Sequence, residues 1–220
     1  MINRRLASSL VPAILVAAFM SARAEAHPHV LVDAKSEIVF DAEGRMAAVR
    51  QIWRFDPAFS AYAIQGLDEN GDGELSAAEL EPLAKINVES LQEFDFFTYL
   101  AIDGKELPFA EPREYWLEQH NGQLTLFYEL PLKTPTMVAP ETTLEVFDPE
   151  YFVAFNFVED NPVSLVGAPD NCSATYHPPR ELDSFTMAML GALPQDQREL
   201  PPDLAGAADA LTNIAEIECQ

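Results

Sequence analysis

Residues 68–79 carry oxygen donors at the spacing of an EF-hand calcium loop. Calcium takes roughly six to eight oxygen ligands, and this type of loop supplies them from positions 1, 3, 5, 7, 9 and 12. Position 6 requires a positive φ, which glycine adopts without steric cost, and Gly73 stands there. The expected calcium ligands are five side chains and one backbone carbonyl: Asp68, Asn70, Asp72, Ser76 and Glu79, with Glu74 contributing its carbonyl.

The alternative for this loop is an acidic surface turn that binds no metal. EF-hands usually work in pairs, whereas this sequence shows one loop, and Pro82 lies early in the helix that follows. A single loop in an exported protein favours a structural calcium site, with a dissociation constant of about 10⁻⁴ to 10⁻³ M. Ser76 and Glu79 also have the spacing of a capping box, which predicts that a helix begins here.

Histidine side chains form a second candidate metal site, for a transition metal. His27 and His29 lie on one side of an extended strand, about 6.6 Å apart, and can share one ion. Pro28 has no amide hydrogen, which excludes chelation through backbone nitrogens. His177, at the end of a predicted strand, is the expected third ligand, whereas His120 is expected to be exposed at a hairpin tip. Imidazole suits zinc, nickel, cobalt or copper, and the alternative is a polar strand without metal.

Residues 1–26 have the pattern of a cleaved signal peptide. A basic pair precedes an apolar run at residues 6–20, and an A-x-A motif at residues 24–26 provides the cleavage site. The apolar run is shorter than the roughly 20 residues of a membrane helix. We therefore expect residues 27–220 to form a single periplasmic domain that does not span the membrane.

Charge and cysteine content narrow the function further. The chain has 13 basic and 36 acidic residues, a formal net charge of −23, which repels polyanions and excludes nucleic acid as a partner. The same negative field concentrates cations. Cys172 and Cys219 are the only two cysteines, and in an oxidising compartment such a pair is expected to form a disulfide.

Hydrophobic alternation and turn dipeptides predict an α+β fold that is mostly β-structure, as an antiparallel meander or sandwich. Asp103-Gly104 and Asn121-Gly122 are strong hairpin signals. The predicted strands are residues 34–40, 46–55, 97–102, 106–109, 114–119, 123–130, 142–147, 151–158, 163–166 and 173–177.

Helices are predicted on both sides of the calcium loop and near the C-terminus. Residues 57–65 and 76–94 flank the loop, so an EF-hand-like helix-loop-helix at about residues 57–95 is inserted between strands. Residues 181–193 and 204–214 are the predicted C-terminal helices. Six aromatic residues fit either a carbohydrate-binding surface or a sheet core, and the usual burial of such residues favours the core: Trp53, Trp116, Tyr151, Phe152, Phe155 and Phe157.

Several motifs resemble those of the periplasmic proteins classed as domain of unknown function 1007. They include HPHV at residues 27–30, LDENGDG at 67–73, YWL at 115–117 and FDPEY at 147–151, and they extend to Cys219. The resemblance covers nearly the whole chain after the signal peptide. It implies a periplasmic partner of an inner-membrane nickel/cobalt or zinc permease, with the His-Pro-His start as the transition-metal site.

Three hypotheses follow. The first is a non-enzymatic, metal-binding accessory protein of a transition-metal transport system, stabilised by calcium, and we favour it. The second is a copper enzyme with an N-terminal histidine brace, which requires His27 as the true N-terminus. The third is a calcium-stabilised adhesion or assembly module in which the histidines are incidental. The sequence shows no set of nucleophile, base and orienting residue that indicates a hydrolase.

Overall fold

The computed structural model describes residues 28–194, 197 and 200–220. The predicted signal peptide and His27 lie outside the described residues. The elements follow one another as β1 (Val30–Phe40), β2 (Met46–Phe55), α1 (Pro57–Ala63), α2 (Ala77–Leu91), a 3-10 turn (Gln92–Phe97), β3 (Thr98–Ile102), β4 (Lys105–Glu106), β5 (Tyr115–His120), β6 (Gln123–Thr136), β7 (Thr142–Val146), β8 (Val153–Phe157), β9 (Val163–Val166), β10 (Cys172–His177), α3 (Ser184–Gly191), α4 (Ala205–Ala210) and β11 (Asn213–Cys219).

The strands form two sheets, so the prediction of a mainly β-structured α+β fold is confirmed. One sheet has the order β5-β6-β2-β1-β8, with β9 also paired to β1, and the other has the order β10-β11-β7-β3-β4. The first two predicted strands are present as β1 and β2, and they pair in an antiparallel hairpin, with Val32 opposite Phe55 and Val39 opposite Ala48. Helices α1 and α2 lie between β2 and β3 in the chain.

The prediction of a wholly antiparallel meander is wrong at β1. Residues Val30 to Ala34 pair in parallel with β8, and Ser36 to Val39 pair in parallel with β9. Pro162 lies between β8 and β9 and has no N–H, but its carbonyl accepts a hydrogen bond from the Ser36 N–H at 3.0 Å. Turn dipeptides mark only neighbours in sequence, so they give no signal for this long-range pairing.

The prediction of a helix over residues 204–214 is also wrong in its second half. Helix α4 ends at Ala210, and residues from Asn213 onward form β11, which lies between β10 and β7 in its sheet. Asn213, Ala215 and Ile217 are buried along β11, and this alternation at every second residue is typical of a strand. The helix predicted over residues 181–193 is present in part, as α3.

Both sheets contribute to one hydrophobic core. Trp53 of β2 is 2% exposed and contacts the rings of Tyr128, Phe155 and Phe97. A buried hydrogen bond from Gln51 Nε2 to Thr98 Oγ1, at 3.0 Å, joins the two sheets. Two sheets sharing a core correspond to the sandwich alternative of the prediction.

Helix α2 packs against this core through Leu80, Ala84 and Val88. It ends at Leu91, before the 3-10 turn, and is therefore shorter than predicted. None of the helices in the described part of the chain is both long enough and apolar enough to cross a bilayer.

Candidate functional site

The predicted calcium loop is an exposed segment between α1 and α2, organised around Asp68. One carboxylate oxygen of Asp68 accepts a hydrogen bond from the Gly71 N–H at 2.7 Å, and the other accepts from the Gly73 N–H at 3.0 Å. Gly73 has φ +84°, as position 6 of the motif requires. The chain therefore folds around the carboxylate of the first predicted ligand.

Glu79 connects the two ends of the same loop. Its carboxylate accepts hydrogen bonds from the Glu69 N–H at 3.0 Å and from the Ser76 N–H at 2.9 Å. The Glu79 N–H donates to Ser76 Oγ at 3.3 Å, which completes the predicted capping box at the start of α2. Hydrogen bonds from the Ser76 side chain and backbone lower the pKa of the Glu79 carboxyl. The lowered pKa favours the anionic form of Glu79, in which both carboxylate oxygens can bind calcium.

The middle of the loop is bonded internally. Asn70 Oδ1 accepts from the Asp72 N–H at 2.8 Å, and Asp72 Oδ1 accepts from the Glu74 N–H at 2.8 Å. Asn70 Nδ2 also donates to Asp72 Oδ2 at 2.9 Å. Within the described residues, no group of three or more His, Cys, Asp or Glu side chains is arranged to hold a metal ion. The loop has the hard oxygen donors that calcium prefers, but these oxygens face backbone amides here.

His29 lies in a bend just before β1 instead of in the strand itself. Its backbone N–H donates to the Phe152 carbonyl at 2.8 Å, and its imidazole stacks on the Phe152 ring with centroids 4.5 Å apart. The expectation that His27 and His29 lie on one side of an extended strand depends on the positions of both residues. His27 lies outside the described residues, so the pairing of the two histidines stays a prediction.

His177 is the last residue of β10, which lies in the other sheet from β1, the strand that follows His29. Its Nε2 lies 3.3 Å from Glu216 Oε2, and both side chains are about half exposed. His120 ends β5 and is exposed beside the Asn121-Gly122 turn, as expected. The structure does not place His29 and His177 in any described cluster of three or more metal-binding side chains.

Cys172 and Cys219 form a disulfide, as predicted. The two residues are directly opposite each other in the antiparallel pair of β10 and β11. The bond therefore joins the first residue of β10 to the last residue of β11 and fixes the end of the chain to its sheet.

An apolar cavity of about 300 Å³ lies beside His29, and sequence reasoning did not predict it. Its walls come from β1, β2, α1, the end of α2, the 3-10 turn, β6 and the segment that leads into β8. Phe152, on which His29 stacks, is one of its lining residues. The only sequence signal for the cavity was the set of aromatic residues, of which Trp53 and Phe152 line it.

Asp148 organises the segment that closes one side of this cavity. Its side chain is 5% exposed and accepts hydrogen bonds from the backbone N–H groups of Glu150, Phe152 and Val153 at 2.8 to 2.9 Å. Hydrogen bonds of this kind compensate the burial of a carboxylate. Asp148 and Glu150 both line the cavity.

The sequence matches the family model described as "Protein of unknown function (DUF1007)" over residues 12–219. The chain belongs to this family. A relative in Haemophilus influenzae, described as an uncharacterized protein, is 22% identical over 188 residues, which are 84% of this chain and 88% of the relative. An "Uncharacterized 15.5 kDa protein in trpE 3'region" of Spirochaeta aurantia is 29% identical over 104 residues, or 44% of this chain and 70% of that protein. Membership in DUF1007 confirms the family that the sequence motifs indicated.

Proposed function

We propose that this DUF1007 protein is a periplasmic, metal-binding accessory of a zinc or nickel/cobalt transport system. The observation that carries the proposal is the contact between His29 and Phe152. Residues near a chain terminus are often mobile, but stacking at 4.5 Å and a backbone hydrogen bond at 2.8 Å hold His29 in place. An imidazole that is held before metal arrives loses less conformational entropy on binding.

His27 and His29 are the proposed ligands, with His177 as the third. His177 directs Nε2 toward Glu216, which leaves Nδ1 for a metal ion. A carboxylate on the second ring nitrogen is the usual companion of a metal-bound histidine, because it fixes the ring and raises its basicity. The strongly negative chain, with a formal net charge of −23, adds long-range attraction for divalent cations.

Calcium is the proposed structural ion of the loop at residues 68–79. The oxygen donors and the positive φ of Gly73 support this assignment, and metal binding is expected to turn Asp68, Asp72 and Glu79 from backbone amides toward the ion. The two proposed sites select different ions, because the loop offers oxygen ligands to calcium and the histidines offer imidazole nitrogen to a transition metal. The proposed partner is an inner-membrane metal permease.

A copper enzyme with an N-terminal histidine brace is the second candidate. That hypothesis requires an aromatic or open axial position beside the copper, and the aromatic ring of Phe152 is in contact with His29. It also requires His27 as the first residue of the mature protein.

Metal analysis of protein purified from the periplasm, combined with its intact mass, tests the proposal. We expect zinc, nickel or cobalt together with a mass that begins at His27. Copper at one equivalent with the same N-terminus would favour the enzyme instead. Protein that carries calcium but never takes up a transition metal would contradict both.

A further inference from the structure

Trp116 of β5 lies on the outer face of its sheet, where it is 43% exposed, whereas the next residue, Leu117, is buried. The expectation of a core position, based on the usual burial of aromatic residues, is therefore wrong for Trp116. Its indole stacks on the ring of Phe127, directly opposite on β6, with centroids 4.8 Å apart and planes inclined by 4°. The indole Nε1–H donates to Glu118 Oε1 at 3.0 Å. These two contacts hold a flat aromatic ring in one orientation at the surface.

A strip of largely apolar surface extends from Trp116 across four strands. Phe127 pairs with Trp116 on one side and with Ile52 of β2 on the other, and Ile52 pairs with Lys35 of β1. Residues directly opposite each other on neighbouring strands place their side chains on the same face, and all four of these side chains are at least partly exposed. With strands about 4.8 Å apart, the strip is about 14 Å long.

Rows of paired charges border the strip on both sides. On one side, Arg50 donates to Glu37 at 2.8 Å and to Glu129 at 2.9 Å. On the other side, Arg54 donates to Asp33, and the carboxylate that fixes the indole lies in the same row. A depression of about 300 Å³ beside the indole is lined in part by Arg50 and Glu129. Hydrogen-bond donors and acceptors are thus held in fixed positions along the edges of the strip.

An apolar strip between two polar rows complements the chemistry of a sugar ring. A pyranose presents C–H groups on its faces and hydroxyl groups around its edge. The polarised C–H groups pack on the electron-rich face of an indole, and the hydroxyl groups both donate and accept hydrogen bonds. Each bordering row contains more carboxylates than arginines, and Lys35 at the far end of the strip lies 3.8 Å from Glu37. The surface therefore suits a neutral sugar and disfavours an anionic one.

We propose that this face of the sheet binds a neutral, β-1,4-linked oligosaccharide. One sugar ring lies on Trp116, and its neighbours continue along the strip over Phe127 toward Ile52. A β-1,4-linked chain is extended, as the strip is, whereas an α-1,4-linked chain curves and would bring fewer rings into contact. Ile52 faces outward and Trp53 faces the core, so this surface lies on the opposite side of the sheet from the apolar cavity. It includes none of the proposed metal ligands, so the proposal stands independently of the proposed transport function.

The two tryptophans of the chain make the site observable by NMR in the unchanged protein. Each indole N–H gives one signal, and Trp116→Phe assigns both signals by removing one. The probes are two neutral tetramers, cellotetraose and N-acetylated chitotetraose, with the β-1,4-linked tetramer of glucuronate as the anionic control and maltotetraose as the α-1,4-linked control. We expect at least one neutral β-1,4-linked tetramer to shift the Trp116 signal saturably and to leave the signal of the buried Trp53 in place.

The two control sugars should bind more weakly than that tetramer. No saturable shift of the Trp116 signal with either neutral β-1,4-linked tetramer, at concentrations up to their solubility, would overturn the site. Equal affinity for the glucuronate tetramer would overturn the charge preference, and equal affinity for maltotetraose would overturn the preference for an extended chain.

Variants of Trp116 and Glu118 test where the sugar lies, with affinity measured by calorimetry. Trp116→Ala should weaken binding about tenfold or more, whereas Tyr62→Ala, which removes a 73% exposed aromatic residue from α1, should not change it. Glu118→Ala releases the indole and should weaken binding about fivefold, whereas Glu118→Gln keeps an acceptor oxygen and should bind as the parent does.

The melting temperature of each variant separates loss of the sugar contact from loss of the fold, because a cross-strand pair of Trp116 and Phe127 also stabilises the sheet. If Trp116→Ala does not fold, the NMR titration of the unchanged protein decides. Affinity equal to that of the parent in a folded Trp116→Ala variant would place the sugar elsewhere and contradict the proposal.

Discussion

The imidazole of His29 stacks on the ring of Phe152, with ring centroids 4.5 Å apart and planes inclined by 27°. A backbone hydrogen bond of 2.8 Å between the same two residues reinforces the contact. Phe152 also lines the apolar cavity, so one aromatic ring contacts the proposed metal ligand and forms part of the cavity wall. His29, which leads into β1, is thereby fixed to the segment that precedes β8.

Calcium should stabilise the protein through the loop at residues 68–79. At about 1 mM calcium and a dissociation constant of about 0.1 mM, linkage adds about 1.4 kcal/mol to the free energy of unfolding. Glu79→Gln should abolish most of the calcium-dependent rise in melting temperature, because a bidentate ligand is lost. Glutamine also completes a capping box, so the start of α2 should persist.

Glu69→Gln is the matched control for this experiment, because Glu69 is an exposed acid at a loop position that supplies no side-chain ligand. The Glu69→Gln variant should retain nearly the whole calcium-dependent rise in melting temperature. A calcium-dependent shift of the melting temperature in Glu79→Gln as large as in the parent would refute the calcium site.

Reduction of the disulfide between Cys172 and Cys219 should lower the free energy of unfolding by about 2 to 4 kcal/mol, because the bond closes a long loop in the unfolded chain. Hydrogen exchange should rise first in β10 and β11, whose ends the bond joins. The double variant Cys172→Ser and Cys219→Ser should show the same loss and no further response to reductant. Two titratable thiols in the native, unreduced protein would contradict this prediction.

Glu145 should destabilise the fold at neutral pH. Burial, reinforced by the charges of Glu106 and Asp209, raises the pKa of its carboxyl above the usual 4.5. The folded state therefore disfavours the ionised form of Glu145. Ionisation lowers the free energy of unfolding at pH values above the raised pKa, and this loss disappears at pH values below the ordinary pKa of 4.5. Glu145→Gln should melt at a higher temperature than the parent at pH 7, and the gain should vanish at pH 4.

Glu218→Gln removes the same formal charge from an exposed position of β11 and controls for the change in net charge. If Glu145→Gln raises the melting temperature at pH 7 only as much as this control does, the burial of Glu145 and its neighbouring charges do not explain the effect.

The hairpins and the cap at Ser76 were predictable because they depend on residues close in sequence. Asn121-Gly122 joins β5 to β6 as predicted, and Ser76 and Glu79 form their capping box. The parallel pairing of β1 with β8 and β9 was not predictable in this way, because the partners are more than a hundred residues apart. The strand at Asn213–Cys219 was missed because the alanine-rich residues before it favour a helix.

The candidate metal ligands were identified by residue type and spacing, but their surroundings were not. Nothing in the sequence places Phe152 beside His29 or Glu216 beside His177, since each contact joins separate elements. The cavity is assembled from seven segments of the chain and carries no local motif. Physical properties that depend on assembly, such as the raised pKa of Glu145, likewise emerge only from the fold.

Equilibrium binding of zinc and nickel to the double variant His27→Ala, His29→Ala tests most directly whether the mature N-terminus binds a transition metal through these two histidines. We expect this variant to lose zinc and nickel binding but to keep calcium stabilisation, and His177→Ala to bind zinc and nickel more weakly than the parent. His120→Ala, at an exposed histidine that ends β5, should bind as the parent does. Zinc and nickel affinities of the double variant equal to those of the parent would contradict the proposed transport role.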